Sequence, residues 1–337
     1  MGREHRSRNQ LAELSTDFAN PVAGEPLERV GFRPMDDIRL TRDFAAAGFD
    51  FTEVDRMRRR GELRRIRRGA YEDGSRDTAE PAEQHRRLID ATLRQSSVGA
   101  VVSHMSAAAL HGLPIWNDQL SRVHLTRSRA SGGKVRRWTH LHVAPLADDD
   151  ICVVDGIAVT TLARTILDLG RTLSMERSVP IGDAALALGL SREELVESAL
   201  RAVGWPGIAA ARRAIDFLDA RSESVGESYS RVVFHRLLLP SPDLQFEVFS
   251  NGRLMARSDF VWKESRTLGE FDGRVKYGRL LKPGQTTGDV IFDEKVREDA
   301  LRDLGWQIVR WLWEDLRNPA RLRERLERAF LRGSRVA

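Results

Sequence analysis

The sequence predicts an α+β chain of several domains, and three observations carry that expectation. An arginine-dense helix-turn-helix pattern runs into an alternating strand between Leu40 and Tyr71. A mixed apolar region follows to about residue 220. Beyond it, helical and strand patterns come in the order α-β-β-β-α-β-α. Composition sets the boundaries. Residues 1–34 are polar, contain Pro21 and Pro26 and lack periodicity, which predicts a flexible tail. The first domain is expected over 35–78, with AEPAEQ (79–84) as a linker, and the middle α/β domain over 79–220. The small polar run RSESVGES opens the last domain, 221–337.

Within 35–78, Leu40 to Gly48 predicts a short helix, and Phe51-Thr52 caps a second helix that ends at Gly61. Leu63 to Tyr71 then alternates arginine with apolar residues. Eight arginines face three acids between Glu53 and Tyr71. Helix, turn, helix and basic β-wing is the pattern of a winged helix-turn-helix. In that arrangement the second helix enters the major groove of double-stranded DNA with Arg56, Arg59 and Arg60. Arg64, Arg65, Arg67 and Arg68 on the wing reach the backbone. The bland alternative is an arginine-rich face turned to water.

The stretch 36–73, with its G-E-L-x-R-I-x-R-G-A-Y ending, resembles the amino-terminal winged helix of AbiEi-type antitoxins from type IV toxin-antitoxin systems. The likeness continues through SHMSAAALHGLPIW (103–116), VHLTRSR (123–129) and VTTLARTILDLGR (159–171). It implies a regulator that binds operator DNA and represses its own operon; it does not itself imply a toxin partner, and a middle domain that meets a nucleotidyltransferase toxin is a separate alternative.

In the middle domain, His104 and His111 are seven residues apart on an alanine-rich helix, which puts them on one face. His140 and His142 share a face of an expected strand. With no cysteines and few acids nearby, structural histidines are the expected reading and a metal site the alternative. The loop RSRASGGKVRRW (127–138) carries five basic residues and reads either as a second phosphate-contacting hairpin or as a mobile loop. Asp168 and Asp183 are expected at the surface or as caps.

In the last domain, Ser224 with Glu227 three residues on predicts a helix start, and Val232, Val233, Leu237 and Leu238 give its apolar stripe. Pro240 and Pro242 stop it. Strands are expected at Gln245–Phe249 and Leu254–Trp262, joined by Asn251-Gly252, and at Leu268–Phe271. After a loop at 278–289, a helix over 294–306 is expected to turn Val296, Ala300, Leu301 and Leu304 inward. A strand at Gln307–Leu312 and a helix at 315–332 close the chain. Asp259, Glu270, Asp272 and Lys276 thereby fall at one end of neighbouring strands. Three carboxylates so placed repel one another unless a cation lies between them, and Mg²⁺, with Mn²⁺ as substitute, is the hard cation such oxygens select. The plainer alternative is a hairpin whose acids face water.

At this point residues 221–317 resemble the PD-(D/E)XK nuclease superfamily, in particular the branch similar to very-short-patch repair endonucleases. The likeness rests on Glu227, on Asp259 in DFVW, on EFDG at 270–273, on R-E-x-A-L in the later helix and on V-R-W at 309–311. It implies a restriction-endonuclease-like α/β fold, with Asp259 and Glu270 as metal ligands and Glu227 as an accessory ligand or water-orienting group. Arg297 and Arg310 would be phosphate or structural partners. The superfamily usually carries lysine two residues after the glutamate, where this chain has Asp272. Either Lys276 reaches back, or Asp272 adds a ligand, or the site has kept its fold and lost catalysis.

Two readings therefore stand side by side, a Mg²⁺-dependent DNA endonuclease and a non-catalytic DNA-binding regulator. At 337 residues and 41% hydrophobic content the chain is long and apolar enough for two or three cores. No apolar stretch has the length to span a bilayer, and MGREHRSRNQ has no apolar segment behind it, so a cytoplasmic location without membrane contact is expected. The single cysteine, Cys152, excludes an internal disulfide and is expected to be buried. Basic residues outnumber acidic ones only 54 to 49, so local clustering says more about nucleic acid than the total does.

Overall fold

The computed structural model describes residues 18–19, 37–75, 80–96, 99–128, 132–273 and 287–335; Lys276 and most of the expected tail lie outside them. The chain forms two compact units, one of residues 17–173 and 189–216, the other of 174–188 and 217–337.

The amino-terminal unit begins with a short strand β1 (Arg39–Leu40), helix α1 (Thr41–Ala46), helix α2 (Phe51–Arg59) and the hairpin β2 (Leu63–Arg67) and β3 (Ala70–Asp73). Asp50, not Phe51-Thr52, is the N-cap of α2. Its carboxylate accepts from the Glu53 amide at 2.8 Å while Glu53 accepts from the Asp50 amide at 2.8 Å, closing a capping box. Phe44, Val54, Leu63 and Tyr71 form one small core between helices and hairpin. Ile38, Leu40 and Ala70 form another with Ala91 of helix α3 (Pro81–Leu93). The stretch 79–84, read from sequence as a linker, is helical from Pro81, where proline takes a first-turn position that needs no N–H.

A six-stranded mixed sheet follows, with strand order β8-β9-β4-β5-β7-β6. Its strands are β4 (Val101–Val102), β5 (Val123–Arg127), β6 (Lys134–Val135), β7 (Thr139–Val143), β8 (Ile151–Val154) and β9 (Ile157–Thr160). Val102, Val123, Leu125 and Val159 meet Leu88 and Ile89 of α3 and Ala107 and Leu110 of helix α4 (His104–Leu110) in its core. Cys152 is half-buried at its margin. Helix α5 (Leu162–Thr172) carries Asp168, which is fully buried, contrary to the surface position expected for it. Arg164 and Arg171 each hold Asp168 at 2.9 Å, and both guanidinium groups lie over the Trp205 ring at 4.8 Å, so the charge has been neutralised inside the unit.

In the carboxy-terminal unit, helix α6 (Val225–Arg236) lies with strands β10 (Asp243–Ser250), β11 (Arg253–Trp262) and β12 (Thr267–Phe271), helix α7 (Thr287–Asp303), strand β13 (Gln307–Trp311) and helices α8 (Trp313–Arg317) and α9 (Pro319–Gly333). The sheet order is β10-β11-β12-β13, antiparallel except for the last pair, which is parallel. Asn251 and Gly252 both take positive φ, 48° and 76°, in the tight turn between β10 and β11. Phe234 of α6 packs edge-on against Phe260, Trp262 and Trp311. Val261, Leu268 and Leu301 belong to a second cluster. A Cβ on Gly226 would fall 1.9 Å from the Phe271 ring, so only glycine lets the first turn of α6 approach β12 this closely.

Three further expectations fail in this unit. Leu238 is 86% exposed, because α6 ends at Arg236 and Leu238 takes φ 55° past the cap. Val296 is 52% exposed while Leu301 is buried. Asp183 is buried, accepting from Arg231 at 2.7 Å and from the Asp219 amide at 2.7 Å.

The hairpin depends on one buried ion pair. Glu72 of β3 and Arg87 of α3, 2% and 1% exposed, meet at 2.5 Å, with Arg64 reaching Glu72 at 2.6 Å and Asp37 reaching Arg87 at 3.3 Å. Glu72→Gln should destabilise the protein by about 3 kcal/mol, because it leaves a buried guanidinium under-compensated. Urea denaturation checks this, and a loss below about 0.5 kcal/mol would show that Asp37 and Glu83, the latter 3.5 Å from Arg87 Nε, suffice as partners.

Candidate functional site

The basic segment and the carboxylate group occupy different units. On α2, Arg56 is exposed, and the Arg59 and Arg60 side chains are 74% and 66% exposed. Asp55 bonds Arg58 at 2.8 Å and Arg59 at 2.5 Å, and these guanidinium groups, Arg58 first, draw its carboxyl below the usual range. Arg58 and Arg59 are thereby steered along the helix while their outer N–H groups keep access to water.

On the β2–β3 hairpin, expected from sequence to be a wing, the four arginines divide. β2 bulges between Arg65 and Arg67: Arg65 pairs with Tyr71 and Arg67 with Ala70. The extra residue breaks the simple alternation of faces. Arg64 turns inward to Glu72, and Arg67 donates to the Thr92 hydroxyl of α3 at 2.5 Å, whereas Arg65 and Arg68 are exposed. Arg64 and Arg67, expected at the DNA backbone, are tethers of the hairpin in this structure. Of the seven arginines expected at DNA in this unit, Arg56, Arg59, Arg60, Arg65 and Arg68 are exposed, and Arg58 is exposed beside them.

Among the carboxylates, Glu227 stands at the third position of α6. It accepts from the Glu223 amide at 2.9 Å, the Ser224 hydroxyl at 2.7 Å and the Gln245 side-chain amide at 2.8 Å. Burial, and then the charge of Asp259, push its pKa up to about 7. Asp259 accepts from the Phe271 amide at 2.8 Å, which fixes its carboxylate at the end of β12. Glu270, the register partner of Arg310 across β12 and β13, accepts from the Arg310 Nε at 2.7 Å, and an Arg297 nitrogen lies 3.6 Å away. Arg310 also reaches Glu298 at 3.0 Å. Asp272 follows β12, its amide bonded to the Trp311 carbonyl at 2.9 Å.

The fit to a hard cation is therefore uneven. Glu227 and Asp259 form a repelling pair that a divalent ion would relieve. Glu270 fits such a set only if Arg310 and Arg297 release it. Asp259, Glu270 and Asp272 do not bring three ligand oxygens together in the way that one group of histidines brings its nitrogens.

That group comes from the middle of the chain. His104, His124 and His142 each offer a ligand nitrogen, all within 4.8 Å of one another. The expected pairing of His104 with His111 does not occur, since His111 Nε2 bonds the Thr160 carbonyl at 2.7 Å instead. His124 escaped the sequence reading because it stands alone in VHLTRSR. Its alternation with Leu125 inside a strand was the available signal, and its strand partner is what makes it informative.

Residues 40–72 match the family model described as "Transcriptional regulator, AbiEi antitoxin". Two Mycobacterium tuberculosis proteins, uncharacterized protein MT2308 of strain CDC 1551 and uncharacterized protein Rv2248 of strain H37Rv, are each 31% identical to this chain over 231 residues. The matches cover 68% of this chain and 80% of each relative. The crystal structure of the RV2827C protein from M. tuberculosis is similar at 14% identity with a TM-score of 0.37, covering 64% of this chain and 84% of that one. Among the described residues, no helix is long and apolar enough to cross a membrane.

The raised pKa of Glu227 sets a pH dependence. Between its ordinary value of 4.5 and about 7 the folded chain binds a proton that the unfolded chain has released, so stability falls as pH rises through this window. In EDTA, wild type should lose on the order of 2 kcal/mol relative to Glu227→Gln between pH 4.5 and 7.5. Denaturation at both pH values checks the sign, and parallel profiles for the two proteins would contradict it.

Proposed function

We propose that this chain, which belongs to the family of the M. tuberculosis proteins MT2308 and Rv2248, is a transcriptional regulator that holds duplex DNA with an amino-terminal winged helix. The observation that carries this reading is the division of arginines over 56–68. Arg64 and Arg67 fasten the hairpin to α3, while Arg56, Arg59, Arg60, Arg65 and Arg68 remain turned to solvent on the helix and wing. A helix in the major groove beside a wing on the backbone uses such groups for phosphate contacts and, from the helix, for guanine edges. The regulator description of the matched family model supports the same function, and its antitoxin description supports a toxin as protein partner. Replacing Arg56, Arg65 and Arg68 together by alanine should abolish repression of a reporter placed behind the gene's own promoter, with the folded protein at wild-type abundance. Full repression by that variant would overturn the reading.

A second reading, a Mg²⁺- or Mn²⁺-dependent endonuclease in residues 221–337, is favoured by the buried Glu227 beside Asp259 at the end of a mixed sheet. In it Asp259 and Glu270 hold the ion, Asp272 and Lys276 assist, and Glu227 orients water. Plasmid DNA incubated with Mg²⁺ or Mn²⁺ separates the two readings. Cutting that disappears in Asp259→Ala/Glu270→Ala supports the nuclease, and retardation without cutting supports the regulator alone.

A further inference from the structure

Four histidines that are scattered through 39 positions of sequence come together in the amino-terminal unit. His104 opens α4, His124 lies in β5, and His140 and His142 lie in β7, which runs parallel to β5 with His140 beside His124 and His142 beside Thr126. The His104 and His142 rings stack with centroids 3.6 Å apart, and His140 stacks on His142 at 3.9 Å. Nδ1 of His124 and Nε2 of His142 are 3.0 Å apart. Two nitrogens sharing one tetrahedral zinc ion at about 2.0–2.1 Å are separated by about 3.3 Å, so this pair needs little adjustment to become two ligands.

Several further features point to a ligand. His104 is 5% exposed and His124 8%, and polar rings so buried are costly unless their nitrogens find partners. His104 has φ 52°, a left-handed conformation that is strained for a non-glycine residue and that the surroundings hold in place. Its Nδ1 lies 3.0 Å from the Ser103 hydroxyl, which in turn accepts from the Thr126 hydroxyl at 2.7 Å. Outer hydrogen bonds of this kind fix the tautomer and the ring orientation of a metal-binding histidine. Burial, together with their mutual proximity, drives the pKa values of His124 and His142 down to about 3 and about 2 and that of His104 well below its ordinary value, so the rings are neutral and carry no competing proton. The guanidinium groups of Arg164 and Arg171 also act on His104, but each is paired with the buried carboxylate of Asp168.

We propose that His104, His124 and His142 bind a single borderline transition-metal dication, Zn²⁺ above all, with the fourth position taken by water or by His140. Three neutral imidazoles without a thiolate suit Zn²⁺ or Co²⁺ and give Mg²⁺ or Ca²⁺ no reason to bind. The site is independent of the DNA-binding reading, because none of its residues belongs to α2 or the wing.

The test uses the full chain without a histidine tag, stripped with EDTA and dialysed. Titration with Co²⁺ should bring up visible d–d bands of tetrahedral intensity that saturate at one equivalent, and Zn²⁺ should displace them. His142→Ala should weaken Co²⁺ binding by at least about 100-fold, while His235→Ala, on the exposed end of α6, should bind as wild type does. His142→Cys guards against a folding defect, since a folded variant with thiolate in the ligand set gains a sulfur-to-cobalt charge-transfer band. Wild type that shows no bands and retains no metal would overturn the proposal. So would His142→Ala binding as tightly as wild type, or a folded His142→Cys lacking the charge-transfer band.

Discussion

The contact between Glu72 and Arg87 is the constraint on which the amino-terminal unit turns. Both side chains are removed from water, a costly state for an isolated charge, and each is held by the other and by one or two further partners. Because Glu72 lies on the hairpin and Arg87 on α3, the pair fixes the angle at which the hairpin leaves the body of the unit. Arg64 and Arg67 extend the same attachment to Glu72 and Thr92. What remains exposed on helix and hairpin is a set of guanidinium groups on a fixed frame, and a fixed frame is what would let phosphate contacts form without a large ordering cost.

The same device recurs elsewhere. Asp168 between Arg164 and Arg171, Asp183 with Arg231, and Glu270 with Arg310 are each a carboxylate neutralised by arginine rather than by solvent. In a chain whose basic residues are nearly all arginine, the planar five-donor fork serves for internal ties as readily as for recognition. This is why an arginine count says little about nucleic acid, and why exposure says more. It also explains the state of the carboxylates at the end of β12, where Arg310 and Arg297 supply the positive charge that a metal ion would otherwise bring.

Local patterns were legible in the sequence. The Asn251-Gly252 turn, the strands on either side of it, the Ser224 start of α6 and the two short helices before the β2–β3 hairpin follow from residue types within a few positions of one another. What sequence did not disclose depends on partners far along the chain. Asp168 and Asp183 look like surface acids until Arg171 and Arg231 are brought to them. Arg64 and Arg67 look like DNA contacts until Glu72 and Thr92 claim them, and the bulge in β2 redirects Arg67 in a way no alternation rule predicts. His124 carries no signal alone, because its meaning comes from a parallel neighbour and a helix start about 20 residues away on either side. Leu238 is exposed because it lies two residues past the end of α6, the place where periodicity is least informative.

The salt dependence of DNA binding tests the central account most directly. A fluorescent duplex titrated at several salt concentrations gives the slope of log affinity against log salt, which counts the phosphates neutralised. If Arg56, Arg65 and Arg68 each touch one phosphate, their joint replacement by alanine should lower the magnitude of that slope by about 2.7 and leave thermal stability unchanged. An unchanged slope and affinity in a folded variant would place the nucleic-acid contact elsewhere on the chain and contradict the account.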